Sequence, residues 1–381
     1  MRKLILLTCL FGAVFAFTSC QKDLVQSPSQ PNIEKIQYFE PSPAYLSSFD
    51  RLVPPSDLST RSSCQWIEIP AGSTNALSQA ISGACTGGVI YLKSGIHTET
   101  QRVTITKSVI LLGEAGSVLK VESVLKPANA TTGKYTLSPA LHVLNAPNTA
   151  FVDLDIQTIA GDGATAILFE NSGQSAVIRT KLTNFQFGIF LEKSDRMTIM
   201  NNIIKSSSAW KTTPGLQTSG LVLSSSLSSY ISGNELYNAL WGAFLSDKWG
   251  TAISNSAHDN RIGIQLCGLR PDYLLPSGQV SGADASATGW KTNNNVTSSN
   301  LYAGFVIIAS SHWNVLDNNT GTGNGSYDID LVGDTNRSGF FAPASFDNFV
   351  SAPISQRIKD CGTGNKVTGG TMINISTDPC K

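Results

Sequence analysis

Gly188-Ile189-Phe190-Leu191 returns as Gly220-Leu221-Val222-Leu223, Gly242-Ala243-Phe244-Leu245, Gly263-Ile264-Gln265-Leu266 and Gly304-Phe305-Val306-Ile307, and this recurrence over residues 188–315 decides the fold. Working outward, Ala166-Ile167-Leu168-Phe169 precedes the series and Asp328-Ile329-Asp330-Leu331 follows it, with successive spacings of 22, 32, 22, 21, 41 and 24 residues. The two long gaps read as ordinary rungs carrying insertions. Eleven positions after the start of a block stands a second β-branched residue: Val177, Ile199, Ile231, Ile253 or Val315. Three positions further on come Thr180, Asn202, Asn234, Ser256 and Asn318, small polar residues suited to a tight backbone corner. Each rung therefore reads as strand, turn, strand, polar corner and short strand. A repeat of this length without helical period is that of a parallel β-solenoid, in which only stacking of the rungs buries the apolar positions.

Composition agrees with one elongated all-β domain: 381 residues, 14% charged, 41% hydrophobic, with 33 glycines. Formal charge is zero, which suggests neither a nucleic-acid binder nor a polybasic membrane binder. The chain is expected to be monomeric.

The ends differ from the middle. Met1-Arg2-Lys3 and the apolar run over residues 4–17 read as a secretory leader, residues 1–19. Its end, Phe17-Thr18-Ser19-Cys20, resembles a bacterial lipobox, which makes Cys20 the lipidated residue and implies an outer-membrane lipoprotein. Gln21-Lys22-Asp23 resembles the surface-export signal of Bacteroidota lipoproteins. Residues 20–60, rich in Pro and Ser, read as a tether, and residues 61–381 as the solenoid. In an oxidising compartment, proximity favours pairing Cys64 with Cys85 and Cys361 with Cys380, leaving Cys267 as a small inert residue.

Ser73-Thr74-Asn75 before an apolar stretch ending at Gly83 predicts a capped helix that covers the first rung. It is followed by Gly87-Gly88-Val89-Ile90-Tyr91-Leu92, a short Gly turn at Gly95, and Val109-Ile110-Leu111-Leu112-Gly113. This order resembles the opening of the pectate-lyase-like right-handed parallel β-helix superfamily, and with the later rungs the resemblance covers about residues 66–375. It implies that the Gly-x-x-Leu blocks form a long flat sheet with carbohydrate across it. Alternation then sends Ile189, Leu191, Leu221 and Leu223 inward. It sends Leu168, Glu170, Phe190, Glu192, Val222, Phe244, Gln265, Cys267, Asp328 and Asp330 outward. Insertions at residues 124–139, 206–219, 268–289 and 333–362 would wall a groove on that sheet.

Several side chains are candidates for chemistry in such a groove. Glu170 and Glu192 share one offset on consecutive rungs, about 5 Å apart, as a retaining glycosidase needs. Lys193, Arg196, Asp247 and Lys248 could supply the base and cations of a uronate lyase. Phe190, Phe244, Trp210 and Trp249, with Gln265, could bind sugar rings. Asp328 and Asp330 could contribute to a Ca²⁺ site, though two carboxylates are too few alone. His258 falls on an inward offset, and His97, His142 and His312 show no ligand spacing. Arg357-Ile358-Lys359 matches one element of the polygalacturonases, but their other elements are missing, so it reads as coincidence.

The expected function is an exported β-helix acting on polysaccharide as a lyase or glycoside hydrolase of an acidic or plant-type glycan. The alternative is a non-catalytic glycan-binding or structural β-helix. A chaperone-like accessory lipoprotein of a cofactor-assembly pathway shares this repeat style.

Overall fold

The computed structural model describes residues 36–52, 64–123, 135–159, 161–268, 273–281, 286–337, 340–373 and 380. The leader, Cys20 and the first part of the tether lie outside them.

The chain coils into a right-handed parallel β-helix whose rungs each contribute to three faces. Sheet 1 contains Gly163–Glu170, the second half of Lys181–Glu192, Ser219–Ser224, Trp241–Leu245, Ile262–Cys267, Ala303–Ile308 and Tyr327–Leu331, all paired in parallel. Sheet 2 runs from Trp66–Ile69 through Tyr230–Ser232 to Lys366–Met372. Sheet 3 runs from Gly95–Glu99 through Ile203–Ser206 and Ser256–His258 to Thr320–Thr322.

The parity read from the blocks holds. Ile167, Ile189, Leu221, Ala243, Ile264, Phe305 and Ile329 face a single apolar core shared by all rungs. Burying a Leu or Ile side chain contributes ~1.5–3 kcal/mol, and here that burial exists only because the next rung is present.

The corners are held by ladders of amide side chains. Between sheets 2 and 3, Asn255 Oδ1 accepts from Asn234 N at 3.0 Å and from Asn234 Nδ2 at 2.9 Å. Asn255 Nδ2 in turn donates to Ile231 O at 3.1 Å and to Asn295 Oδ1 at 2.9 Å. The same pattern links Asn202 to Asn234 and Asn295 to Asn319, with Thr180 N donating to Asn202 Oδ1 at the N-terminal end. A second ladder, Asn260, Asn300 and Asn324, lines the corner between sheets 3 and 1. The corner between sheets 1 and 2 begins as serines, with Ser172 N donating to Ser194 Oγ and Ser194 N to Ser226 Oγ, and ends as Asn314, Asn348 and Asn365.

These ladders correct two corner assignments. The buried corner residues are Asn255 and Asn319, not Ser256 and Asn318. The inward residues three places before them are Ala252 and Leu316, whereas Ile253 and Val315 point outward and are half-buried. A β-branched side chain marks a strand but does not say which of its faces is inside. Asn318 is instead the neighbouring left-handed residue, with φ 50°.

The ends are closed by the expected helix and disulfides, but the helix is capped differently from expectation. Helix α2, Leu77–Gly83, covers the first rungs, but none of Ser73, Thr74 or Asn75 caps it. The buried Glu99 carboxylate, from the next rung, accepts from Leu77 N at 2.8 Å and fills that role. Burial pushes the Glu99 carboxyl up, opposed by hydrogen bonds from Leu77 and Ala76 and by the charge of His97. Cys64 is joined to Cys85 and Cys361 to Cys380, at the two ends of the solenoid. Within the stretch read as a tether, Pro43–Asp50 forms helix α1, N-capped by Ser42. Its Phe49 packs with Trp66, Val89, Tyr91 and Val152 on the outer face of sheet 2, and Asp50 pairs with Arg179 at 2.8 Å. That part of the chain is therefore docked rather than an extended spacer.

The ladder can be tested directly. Replacing Asn255 with Ala leaves buried polar groups on two rungs without partners and should cost ~1–3 kcal/mol in chemical denaturation. Replacing the solvent-side Ser256 with Ala should stay within ~0.5 kcal/mol. Equal losses at both positions would contradict the corner assignment.

Candidate functional site

The outer face of sheet 1, where the sequence places its candidates, is covered. Leu168, Phe190, Val222, Phe244 and Cys267 point outward as expected, yet all are at most 4% exposed. They form a second apolar layer with Leu137, Phe187, Tyr273, Leu275 and Ala309. The cover comes from two insertions, whose short strands Tyr135–Thr136 and Tyr273–Leu274 pair with each other across the sheet. Tyr273 stands edge-on to Phe187 and Phe190, at 5.4 and 5.2 Å between ring centroids. Its hydroxyl donates to Gln217 Oε1 at 2.9 Å, tying the cover to a third insertion. Phe190 and Phe244 are packing residues in a closed layer and present no ring face to a sugar. Residues 124–134, 269–272 and 282–285 of these insertions lie outside the described residues.

Glu170 and Glu192 occupy paired positions on adjacent strands, as predicted, but both are buried, at 2% and 0% exposure. Glu170 Oε2 is 3.0 Å from His142 Nε2, a histidine whose participation the sequence did not signal. Burial alone pushes the Glu170 carboxyl up. The hydrogen bonds from His142 and Ser277, with the charges of His142 and Lys193, outweigh it and hold the carboxyl below its ordinary value. Glu192 accepts from the Ser224 hydroxyl on the next rung. A lowered carboxyl stays ionised at neutral pH, which is the wrong state for a general acid at Glu170.

Lys193 and Arg196 are exposed at left-handed corner positions, φ 48° and 53°, and Lys248 is exposed further along the same corner. Asp247 does not join them as a base. It is 5% exposed, and its Oδ2 accepts from Ser226 N at 2.6 Å, continuing the serine ladder of that corner.

The tryptophans do not wall a groove. Trp210 is half-buried and donates to Asn238 O at 3.1 Å. Trp249 lies over Gly289, where a Cβ would sit 2.0 Å from its Cζ3, and Trp290 lies over Gly250 in the reciprocal arrangement. Gln265 is 7% exposed and accepts from Trp241 Nε1 at 2.9 Å.

Asp328 and Asp330 are engaged by protein groups. Arg357 donates to Asp328 Oδ2 from its backbone N at 2.9 Å and from Nε at 3.2 Å, and Asn324 Nδ2 donates to Oδ1 at 3.0 Å. Asp330 accepts from the Tyr302 hydroxyl and faces Lys359 in register. Lys359 Nζ lies 5.2 Å from the Tyr327 ring. Asp328-Ile329-Asp330 thus lies over Arg357-Ile358-Lys359, and the next rung supplies the cations that the sequence reading sought in Ca²⁺. Among the described residues no group of three or more His, Cys, Asp or Glu could hold a metal ion.

His258 is not a core residue. Ala257 turns inward instead, and His258 lies on the outer face of sheet 3, with Nε2 3.0 Å from Glu235 and Nδ1 2.8 Å from Asp259. Its ring stacks on Tyr237 at 5.0 Å. Burial lowers its pKa, but the hydrogen bonds and charges of Asp259 and Glu235 prevail and raise it.

Residues 97–270, less than half of the chain, match the family described as periplasmic copper-binding protein (NosD). No curated protein matches the chain in sequence. Among solved structures it is similar to a rhamnogalacturonan lyase, with TM-score 0.51 and 10% identity over 82% of this chain and 90% of that one. It is similar also to an alginate lyase from Paenibacillus sp., with TM-score 0.45 and 10% identity over 69% of this chain and 98% of that one. A polygalacturonase from Erwinia carotovora ssp. carotovora gives TM-score 0.45 and 12% identity over 85% and 99%.

The Asp328–Arg357 pair carries a pH signature. Burial pushes the Asp328 carboxyl up, but Arg357 and Asn324 outweigh it, so its folded pKa lies below the unfolded value. Such a group contributes stability that is present above its unfolded pKa of about 3.9 and lost as pH falls through the folded pKa. Arg357→Met should cost ~1–3 kcal/mol at pH 7. The gap to wild type should narrow as denaturation is measured at pH values falling below about 4. A gap that stays constant down to pH 2 would contradict the pairing.

What the comparisons establish is the fold: a right-handed parallel β-helix of the pectate-lyase-like kind.

Proposed function

We propose that this protein is an exported, lipid-anchored β-helix that binds polysaccharide and does not cleave it at the outer face of sheet 1. The observation that carries the reading is the burial of Glu170 and Glu192, at 2% and 0% exposure, under the chain's own insertions. A glycosidase pair must reach the scissile bond and one member must hold a proton, and Glu170 is held ionised beside His142. A polysaccharide ligand is supported by the shared fold alone, which hosts many functions.

Export is supported by the two disulfides, which persist in oxidising compartments, and by the description of the family matching residues 97–270 as periplasmic. Anchoring through Cys20 is the reading of the Phe17-Thr18-Ser19-Cys20 sequence.

By its description that family binds copper. Copper favours thiolate, thioether and imidazole donors. Here Cys267 sits in the apolar layer, Met197 lies in the core, and His142 is bonded to Glu170. No group of three His, Cys, Asp or Glu that could hold a metal meets among the described residues, so the donor set does not fit a resident copper.

The test is incubation with pectins, alginates, glycosaminoglycans and neutral plant glycans, with and without Ca²⁺. The expected result is retention of at least one glycan with neither unsaturated-uronide absorbance nor new reducing ends. Turnover abolished by Glu192→Gln would overturn it in favour of catalysis. In cells, Cys20→Ala should move the protein from the membrane to the soluble fraction, and no change in partitioning would remove the anchor.

A further inference from the structure

The three outer faces of the solenoid are not equally open. Sheet 1 is covered by the insertions, and the N-terminal part of sheet 2 by helix α1. The outer face of sheet 3 has no element packed on it among the described residues. One row of its outward side chains descends through Lys120, Gln157, Thr183, Lys205 and Tyr237, each in register with the next across parallel strands. All five are half-buried, and the Thr183 hydroxyl is enclosed.

This row contains no carboxylate. The acid nearest in register, Asp155, stands in the parallel row, where Lys181 Nζ pairs with it at 3.1 Å and Gln157 Nε2 donates to it at 3.1 Å. Glu235, further along that row, is taken by His258 at 3.0 Å. Lys120 and Lys205 have no ion-pair partner among the described residues. They stand three rungs apart, about 14 Å at the strand spacing. The Gln157 amide lies between them, and the Tyr237 ring closes the row. Beyond it the Glu235, His258 and Asp259 cluster carries net negative charge and ends the strip.

We propose that this row of sheet 3 is the binding strip for a linear polyuronate lying along the solenoid axis. The proposal rests on the glycan-binding reading and names its ligand class and face. Two unpaired ammonium groups at a spacing of three rungs match a chain whose carboxylates return to the same side every third sugar. The Gln157 amide can bond a hydroxyl of an intervening sugar. The Tyr237 ring, stacked on His258 at 5.0 Å, marks the end of the row. Sheet 1 offers no equivalent strip, because its outward residues are enclosed.

The experiment is affinity electrophoresis of the full chain in gels containing polygalacturonate or alginate, with uncharged dextran and galactan as comparisons. The Lys120→Glu/Lys205→Glu variant should bind the polyuronates at least about tenfold more weakly at low salt, where two charge-assisted contacts are lost. A Lys193→Glu/Lys248→Glu variant, altered at the margin of sheet 1, should keep the wild-type retardation relative to a ligand-free gel. Circular dichroism spectra and unfolding midpoints of both variants check that the fold is intact. Unchanged polyuronate retention in Lys120→Glu/Lys205→Glu, equal loss in both variants, or retention of uncharged glycans only would overturn the strip while leaving glycan binding in place. Retention of no glycan at all would overturn both.

Discussion

Every inward side chain of this solenoid rests on the equivalent side chain of the next rung, and nearly every corner amide is bonded to the amide one rung away. The consequence is a strict register: Asn255 can satisfy Asn234 and Asn295 only if the strands on either side of the corner neither gain nor lose a residue. Insertions are therefore expelled to the borders of the sheets. Where they re-enter the structure they do so as covers, because the outward side chains of sheet 1 are apolar enough to bury them.

That constraint explains how much could be read beforehand. The Gly-x-x-Leu blocks reveal strand, parity and stacking, because inward Leu221 or Leu245 must be apolar whatever lies outside. They cannot reveal exposure of the other face. Outward Phe190, Phe244 and Leu168 look the same in sequence whether they meet a sugar or Tyr273. The corner at residues 251–256 misleads because the inward residue there is Ala252, small enough to be overlooked beside outward Ile253. Similarly, helix α1 is hidden in a Pro- and Ser-rich stretch because its stability comes from Phe49 meeting sheet 2 and not from its own eight residues.

The charged candidates divide by the same logic. Asp328 and Asp330 are answered by Arg357 and Lys359 one rung on, a pairing legible as two alternating charges of opposite sign at one rung spacing. Asp247 is a corner acceptor, and His142 enters only through three-dimensional proximity to Glu170. Lys120 and Lys205 carry no signal in the sequence because neither belongs to a block, and only the register of sheet 3 brings them into one row with Gln157 and Thr183. The face that the resemblance implies for carbohydrate is thus the enclosed one, and the open face carries the unpaired charge.

The closure of sheet 1 is the claim on which this functional account turns, and Cys267 reports on it. It is buried in the covered layer, while Cys64, Cys85, Cys361 and Cys380 are joined in disulfides, so in a chain carrying Cys9→Ser and Cys20→Ser it is the single thiol outside a disulfide. The measurement is its rate of reaction with a soluble aromatic disulfide reagent in the native state and in denaturant. The account predicts that the thiol stays unmodified in the folded protein and reacts stoichiometrically on unfolding. Rapid stoichiometric reaction under native conditions would contradict it, because it would mean that the outer face of sheet 1 is open.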